Sequence, residues 1–199
     1  MSQHQFRLTY FDIHGLAEPI RNAFRLSKIP FEDVRVQFSE WQDLKKSHPE
    51  KFIFGQMPIL EIDSVPFAQS NALLRYVGKL TGLYPTDPLE ALKVDEVIDA
   101  LGDISKKLSA SASLPEPERI AARQKLSQEF IKPHLTLVEK RVSFGTENKL
   151  ITIADLVVAN DLNNLRSGRM DGVDTSIPDH FPTLNKIADH VKAALAQVQ

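Results

Sequence analysis

The sequence of 199 residues contains no cysteine at all. A chain without cysteine forms no disulfide, offers no thiolate to a metal ion and has no cysteine nucleophile. Any thiol chemistry of this protein must therefore use a thiol that a substrate or cofactor carries.

Strong charge and long apolar runs are missing as well. The formal net charge is −2, without a basic patch or an acidic tail, so we expect no nucleic-acid partner. No apolar run approaches the roughly 18 residues of a membrane-spanning helix, so we expect no membrane partner. The N-terminus, MSQHQFRLTY, lacks the composition of a signal or transit peptide. We therefore expect a cytoplasmic protein.

Strand and helix patterns alternate along residues 1–81. The order βαβ followed by ββα predicts a thioredoxin-like α/β domain, in which a right-handed crossover joins two parallel strands and a hairpin follows. The predicted strands are residues 6–10, 31–38, 58–62 and 65–68, and the predicted helices are residues 17–28, 41–47 and 70–80.

Helical patterns dominate the remainder of the chain. Gly82, Pro85 and Pro88 mark residues 82–88 as a linker. Residues 89–199 are predicted to form an all-helical domain, because their apolar residues recur at helical spacing and strand signals nearly vanish. We predict helices over 89–108, from LPEPE to 142, from a capping box at 152–155, and over about 182–198.

Five segments, in this order along the chain, resemble cytosolic glutathione transferases. The pattern is closest to the sigma class, which is related to the alpha, mu and pi classes. The resemblance implies glutathione as co-substrate and a homodimer in which each subunit completes the other's site. We expect no metal, because no second histidine is spaced to form a metal site with His14 and the chain has no cysteine. The segments are LTYFDIHGLAEPIR, Trp41 with Lys45, GQMPILEID, QSNALLRY and ITIADL.

The resemblance assigns a chemical role to three of these segments. Tyr10 would donate a hydrogen bond to the sulfur of glutathione and so stabilise its thiolate. The bond between Met57 and Pro58 would be cis, and the Met57 backbone would pair with glutathione like an added strand. Gln69 and Ser70, at the start of a helix, would bind the γ-glutamyl carboxylate.

Further glutathione contacts are implied at four positions. Trp41 and Lys45 would contact the glycine end, although a lone tryptophan also suits packing and a lone lysine also suits a solvated surface. Gln56 would reach the peptide. Asp103 would reach the amino group from the partner subunit, and it lies beside Gly102, the position at which relatives carry the aspartate.

Apolar residues after the first strand would line the pocket for the second substrate. The resemblance implies Phe11, Ile13 and Leu16 here, together with helical residues near 105–109 and 157–161. Leu16 occupies a position at which sigma and alpha members often carry an arginine that helps to hold the thiolate. Thr152 and Asp155 are interpreted as a helix cap rather than as a site.

The implied function is detoxification: a thiolate of glutathione, held by Tyr10, attacks a small apolar electrophile. Glutathione-dependent peroxidase or isomerase activity stays open. The alternative is a glutathione-binding or apolar-ligand-binding protein with little or no catalysis, such as a crystallin or a carrier. The absence of cysteine excludes a disulfide oxidoreductase.

Overall fold

The structure is a computed structural model that describes residues 4–142 and 150–198. The chain divides into two compact units, one formed by Met1–Tyr84 with Gln197–Gln199 and the other by Pro85–Ala196. No helix within the described residues is both long enough and apolar enough to cross a bilayer.

A four-stranded mixed sheet lies at the centre of the first unit, in the strand order β2-β1-β3-β4. β1 is parallel to β2 and antiparallel to β3, and β3 pairs with β4 in a hairpin. This confirms the predicted thioredoxin-like order. The strands are β1 (Phe6–Phe11), β2 (Glu32–Val36), β3 (Ile59–Ile62) and β4 (Val65–Ala68).

Three helices belong to the first unit: α1 (Glu18–Leu26), α2 (Trp41–Ser47) and α3 (Ser70–Thr81). A short 3-10 turn, Gly15–Ala17, precedes α1. Because α1 buries one face completely and contacts α3, it ties the segment after β1 to the core. The predicted helix over 17–28 ends at Leu26, since the backbone turns to a positive φ at Lys28.

The second predicted strand is wrong at its C-terminal end. It stops at Val36, and Phe38 lies in a turn instead of on the sheet. Two hydrogen bonds close this turn: the backbone N–H of Gln37 donates to the Glu40 carboxylate at 3.0 Å, and the Glu40 N–H donates to the Gln37 carbonyl at 3.1 Å. Such bonds compete locally with a sheet ladder.

The described residues of the second unit form helices without any strand. The helices are α4 (Pro88–Ala110), α5 (Glu116–Leu126), α6 (Lys132–Val142), α7 (Ile153–Arg166) and α8 (Pro182–Ala196).

The long helix predicted up to Val142 is interrupted by a π-helical turn over Ser127–Ile131. Pro133 is the second residue after this turn, following Lys132. Proline has no N–H to donate to the carbonyl four residues earlier, and its ring clashes with that carbonyl, so the α-helical pattern yields here.

The predicted capping box at the start of α7 is present. The Asp155 carboxylate accepts from the Thr152 backbone N–H at 2.7 Å and from the Thr152 hydroxyl at 2.9 Å. Both side chains are thus occupied in starting a helix whose apolar residues are almost all buried. This supports the interpretation of the pair as a helix cap.

Candidate functional site

Tyr10 lies at the carboxyl end of β1 with only 6% of its surface exposed. Its hydroxyl oxygen accepts a hydrogen bond from the backbone N–H of Leu16 at 3.2 Å. Burial raises the pKa of Tyr10, and the Leu16 hydrogen bond and the charge of Arg21 oppose this rise only in part. The phenol therefore keeps its proton at neutral pH, and its O–H can donate a hydrogen bond to another group.

Gly15 makes the approach of the Leu16 amide to Tyr10 possible. Its φ is 44°, and a Cβ atom at this position would lie 2.7 Å from the Tyr10 hydroxyl oxygen. Carbon atoms do not approach oxygen so closely without a clash, and a positive φ is itself unfavourable for other residues. Glycine is therefore required by the turn that brings Leu16 to the phenol.

Arg21 supports the same turn from beneath and is completely buried. Its Nε donates to Asp33 at 2.9 Å, and its Nη1 donates to the carbonyl of Ile13 at 2.9 Å and to Glu18 at 3.1 Å. The guanidinium carbon lies 5.9 Å from the centre of the Tyr10 ring. One cation thus connects α1, β2 and the segment that follows Tyr10.

Arg21 is not among the residues predicted from the sequence, although its position in the helix carries a signal. Ala17, Ile20 and Phe24 are fully buried, and Arg21 shares their helix face at the spacing of i, i+3, i+4 and i+7. A charged residue on an apolar face is buried only when it is paired, which is the case here.

Aromatic rings cluster beside Tyr10, at the ends of β1 and β2. The Phe11 ring meets the Trp41 ring at 5.9 Å in an edge-to-face contact, and Trp41 meets Phe52 in the same way at 5.0 Å. The Lys45 Nζ lies 5.5 Å from the centre of the Trp41 ring. The structure thus brings Phe11, Trp41 and Lys45 close together.

The segment before β3 reaches this same end of the sheet. β1 and β3 are antiparallel, and Thr9 pairs with Ile59, so Met57 continues the register on the side of Phe11. The Met57-Pro58 peptide bond is cis, as predicted. Pro58 is buried, Met57 is partly buried and Gln56 is exposed.

Gln69 and Ser70 also arrive here, because Ala68 at the end of β4 pairs with Ile59. Gln69 has φ 75° and ψ 99° immediately before the first residue of α3. A residue other than glycine with positive φ is uncommon, and such strain concentrates at functional sites. The first N–H groups of α3 and the positive end of its dipole favour an anion at this point.

Comparison with known proteins decides the family. Residues 6–79 match the family described as "Glutathione S-transferase, N-terminal domain". The chain is 34% identical to glutathione S-transferase 1 of Ascaris suum over 199 residues, which covers 94% of this chain and 91% of that protein. This chain belongs to the glutathione transferase family.

Solved structures of similar proteins agree with the assignment of this chain to the glutathione transferase family. A prostaglandin synthase D of Nilaparvata lugens superposes with a TM-score of 0.85 at 25% identity, covering 97% of this chain and 96% of that one. A glutathione S-transferase of Ascaris lumbricoides superposes with a TM-score of 0.76 at 30% identity, covering 97% and 95%.

The residues suggested for the second substrate's pocket in the first unit of this transferase differ in exposure. Phe11 and Ile13 are half-buried, and the Ile13 carbonyl accepts from Arg21. The Leu16 side chain is 46% exposed, while its backbone N–H contacts Tyr10.

In the second unit of the transferase, Asp103 lies exposed on α4. Lys106 donates a hydrogen bond to it at 3.0 Å and thereby lowers the pKa of Asp103. A Cβ atom at the neighbouring Gly102 would meet no atom within 4 Å. The described part of the chain contains no group of three or more His, Cys, Asp or Glu side chains placed to hold a metal ion.

Proposed function

We propose that this protein is a cytoplasmic, homodimeric glutathione transferase, closest to the sigma class, that conjugates glutathione to small apolar electrophiles. The observation that carries the proposal is the state of Tyr10, a buried, protonated phenol whose oxygen already accepts from the Leu16 amide. Its proton is thus free to point at a ligand atom on the same end of the sheet as Met57, Gln69 and Trp41.

The phenol would act on the thiol of glutathione. A free thiol has a pKa of about 8.5, so only a few per cent is thiolate at neutral pH. A hydrogen bond to the thiolate favours the charged form, and each unit by which the thiol pKa falls corresponds to about 1.36 kcal/mol. The Leu16 amide polarises the phenol and makes it a stronger donor.

Leu16 stands where members of the sigma and alpha classes often carry an arginine, so its side chain supplies no cation to the thiolate, whereas its backbone N–H contacts Tyr10. A backbone N–H held by Gly15 needs no side-chain ordering, and it donates to the Tyr10 oxygen. We infer that thiolate stabilisation here depends on Tyr10 backed by a backbone dipole, a preorganised arrangement of the kind that lowers barriers.

The other residues would position glutathione along the first unit. Gln69 and Ser70 would hold the γ-glutamyl carboxylate at the start of α3, and the Met57 backbone would pair with the peptide next to the cis Pro58.

At the glycine end, Lys45 would supply a cation beside the Trp41 ring, and Gln56 would add a polar contact. Asp103 would contact the amino group of the glutathione that is bound to the partner subunit.

The second substrate would lie beside the sulfur, against Phe11, Ile13 and Leu16. Proximity of the thiolate to the electrophile then supplies much of the acceleration. An isomerase or peroxidase reaction that uses the same thiolate is the second candidate, and the similar protein of Nilaparvata lugens carries the name of a prostaglandin synthase. A carrier with little catalysis is the alternative to both.

The test is a spectroscopic titration of glutathione bound to the protein, in which thiolate absorbance is followed against pH. We expect the thiol pKa to lie at least about one unit below its free value of about 8.5 in the wild type, and Tyr10→Phe to abolish this depression. Tyr76→Phe is the matched control, because it removes a phenol on α3 that is 38% exposed.

Two outcomes would contradict the proposal in different ways. Glutathione bound with an unshifted thiol in both wild type and Tyr10→Phe would favour the carrier over the enzyme. A depressed pKa that survives in Tyr10→Phe would leave the enzyme in place but assign the activation to another group.

A further inference from the structure

Phe38 is a large apolar side chain that the described fold leaves 63% exposed. It lies beyond the end of β2, two residues past Val36, which pairs with Phe11 in the parallel ladder. A single exposed apolar side chain is common and needs no explanation. Phe38 is a candidate ligand contact because it also belongs to the group of rings that begins at Tyr10.

One face of the Phe38 ring is covered by Phe11. The two rings stack with centres 4.4 Å apart and an angle of 18° between their planes. Phe11 in turn meets the Tyr10 ring at 5.5 Å. Phe38 is thereby connected to the residue proposed to hold the thiolate through a single intervening ring.

The backbone turn and the stack on Phe11 together hold the Phe38 ring in place. The turn that carries it is closed by the hydrogen bonds between Gln37 and Glu40 described above. A ring that is already ordered loses little conformational freedom when a ligand stacks on it, which improves affinity.

We propose that Phe38 is a specificity-determining residue that stacks on the ring of a planar, electron-poor aromatic electrophile. This inference rests on the proposed function. The face of a phenylalanine ring is electron-rich, so it attracts an electron-poor ring in an offset stack. An aliphatic electrophile has no such face and gains little from Phe38.

The reaction with an aryl halide defines what the stack would assist. The sulfur of the thiolate forms a bond to the ring carbon that bears the halogen, the carbon–halogen bond breaks, and halide leaves with the bonding electrons. The thiol proton has passed to solvent beforehand. Phe38 would bind and orient the ring without contacting the reacting atoms.

The experiment compares two electrophiles in the full chain with saturating glutathione: chlorodinitrobenzene, an electron-poor aryl halide, and nonenal, an aliphatic enal. We expect Phe38→Ala to lower kcat/KM for chlorodinitrobenzene about 3- to 10-fold, mainly through KM, and to change nonenal less than about 2-fold. Phe38→Tyr should retain the aryl activity, and Phe38→Leu should lose most of it because it keeps bulk without a ring.

Separate readouts distinguish failure of this inference from failure of the proposed function. If wild type binds S-hexylglutathione and depresses the thiol pKa, but Phe38→Ala affects both electrophiles equally, the inference about Phe38 is overturned alone. If wild type neither binds S-hexylglutathione nor depresses the thiol pKa, the proposed function is overturned, and the inference about Phe38 is overturned with it. If Phe38→Ala changes the sedimentation of the protein, the ring is a subunit contact and the inference is overturned.

Discussion

Replacing Arg21 by methionine tests whether one buried cation supports the turn that follows Tyr10. Methionine fills much of the same volume without the charge. The substitution removes hydrogen bonds to Asp33, Glu18 and the Ile13 carbonyl at once. All of them lie in the interior of the first unit or at its margin, so water replaces them poorly.

The expected loss in the free energy of unfolding follows from what remains after the change. Removing one partner of a buried ion pair costs about 3–5 kcal/mol, because the other charge stays buried. Here Asp33 keeps Arg35 at 2.8 Å, and Glu18 keeps Arg25 at 2.8 Å. We therefore expect Arg21→Met to cost about 3 kcal/mol, at the lower end of that range.

The assay is equilibrium unfolding in urea at a single protein concentration, since a dimer would make stability depend on concentration. Arg25→Met is the matched control, because Arg25 binds the same Glu18 from a position that is 36% exposed; we expect it to cost about 0.5 kcal/mol. Arg21→Lys should lie between the two, since an ammonium cannot reach both carboxylates. A loss below about 1 kcal/mol for Arg21→Met would refute the argument that Arg21 supports the turn.

Three further substitutions have outcomes that depend on local geometry. Gly15→Ala should displace the Leu16 amide from Tyr10. The titration of bound glutathione should then show a thiol pKa at least about half a unit higher than in wild type. An unchanged thiol pKa would mean that the amide is dispensable. Gly102→Ala should raise the free energy of unfolding by about 0.5–1 kcal/mol in a urea titration, because the position is helical and open, and a loss would reveal an unrecognised contact. Burial raises the pKa of Asp161 to about 7, against an opposing hydrogen bond from Asn160, so the folded state holds a proton that the unfolded state releases near pH 4. The free energy of unfolding therefore falls as the pH rises towards about 7, and it levels off above that pH. Because Asp161 keeps part of its surface exposed, we expect urea midpoints to show a fall of about 1–2 kcal/mol between about pH 5.5 and pH 8. Asp161→Asn should remove this pH dependence.

Local patterns were sufficient for most of the elements. Period-two alternation and turn residues located the strands, and α2 begins at Trp41 and ends at Ser47 as predicted. The capping box at Thr152 was legible because its partners lie three residues apart. These features depend on neighbours in the chain, which a sequence displays directly.

Local patterns were misleading where a competing interaction prevailed. Alternation continues through Phe38, yet the bonds between Gln37 and Glu40 end the strand at Val36. Apolar spacing continues across Ser127–Ile131, yet Pro133 forces a π turn there. In each case the hydrophobic period is intact, and a hydrogen-bonding constraint that the period does not contain decides the backbone.

The amino-acid sequence is enough to predict the class of the fold, to exclude cysteine chemistry and, through its resemblance to glutathione transferases, to name the residues proposed to bind glutathione. The surroundings of Tyr10 emerge from the folded chain alone: the Leu16 amide donates to its hydroxyl, the buried Arg21 lies against its ring, and Phe38 lies beyond Phe11. The physical reason is that sheet pairing and helix packing bring together residues far apart in the chain, and these contacts set the pKa, strain and exposure on which the chemistry depends.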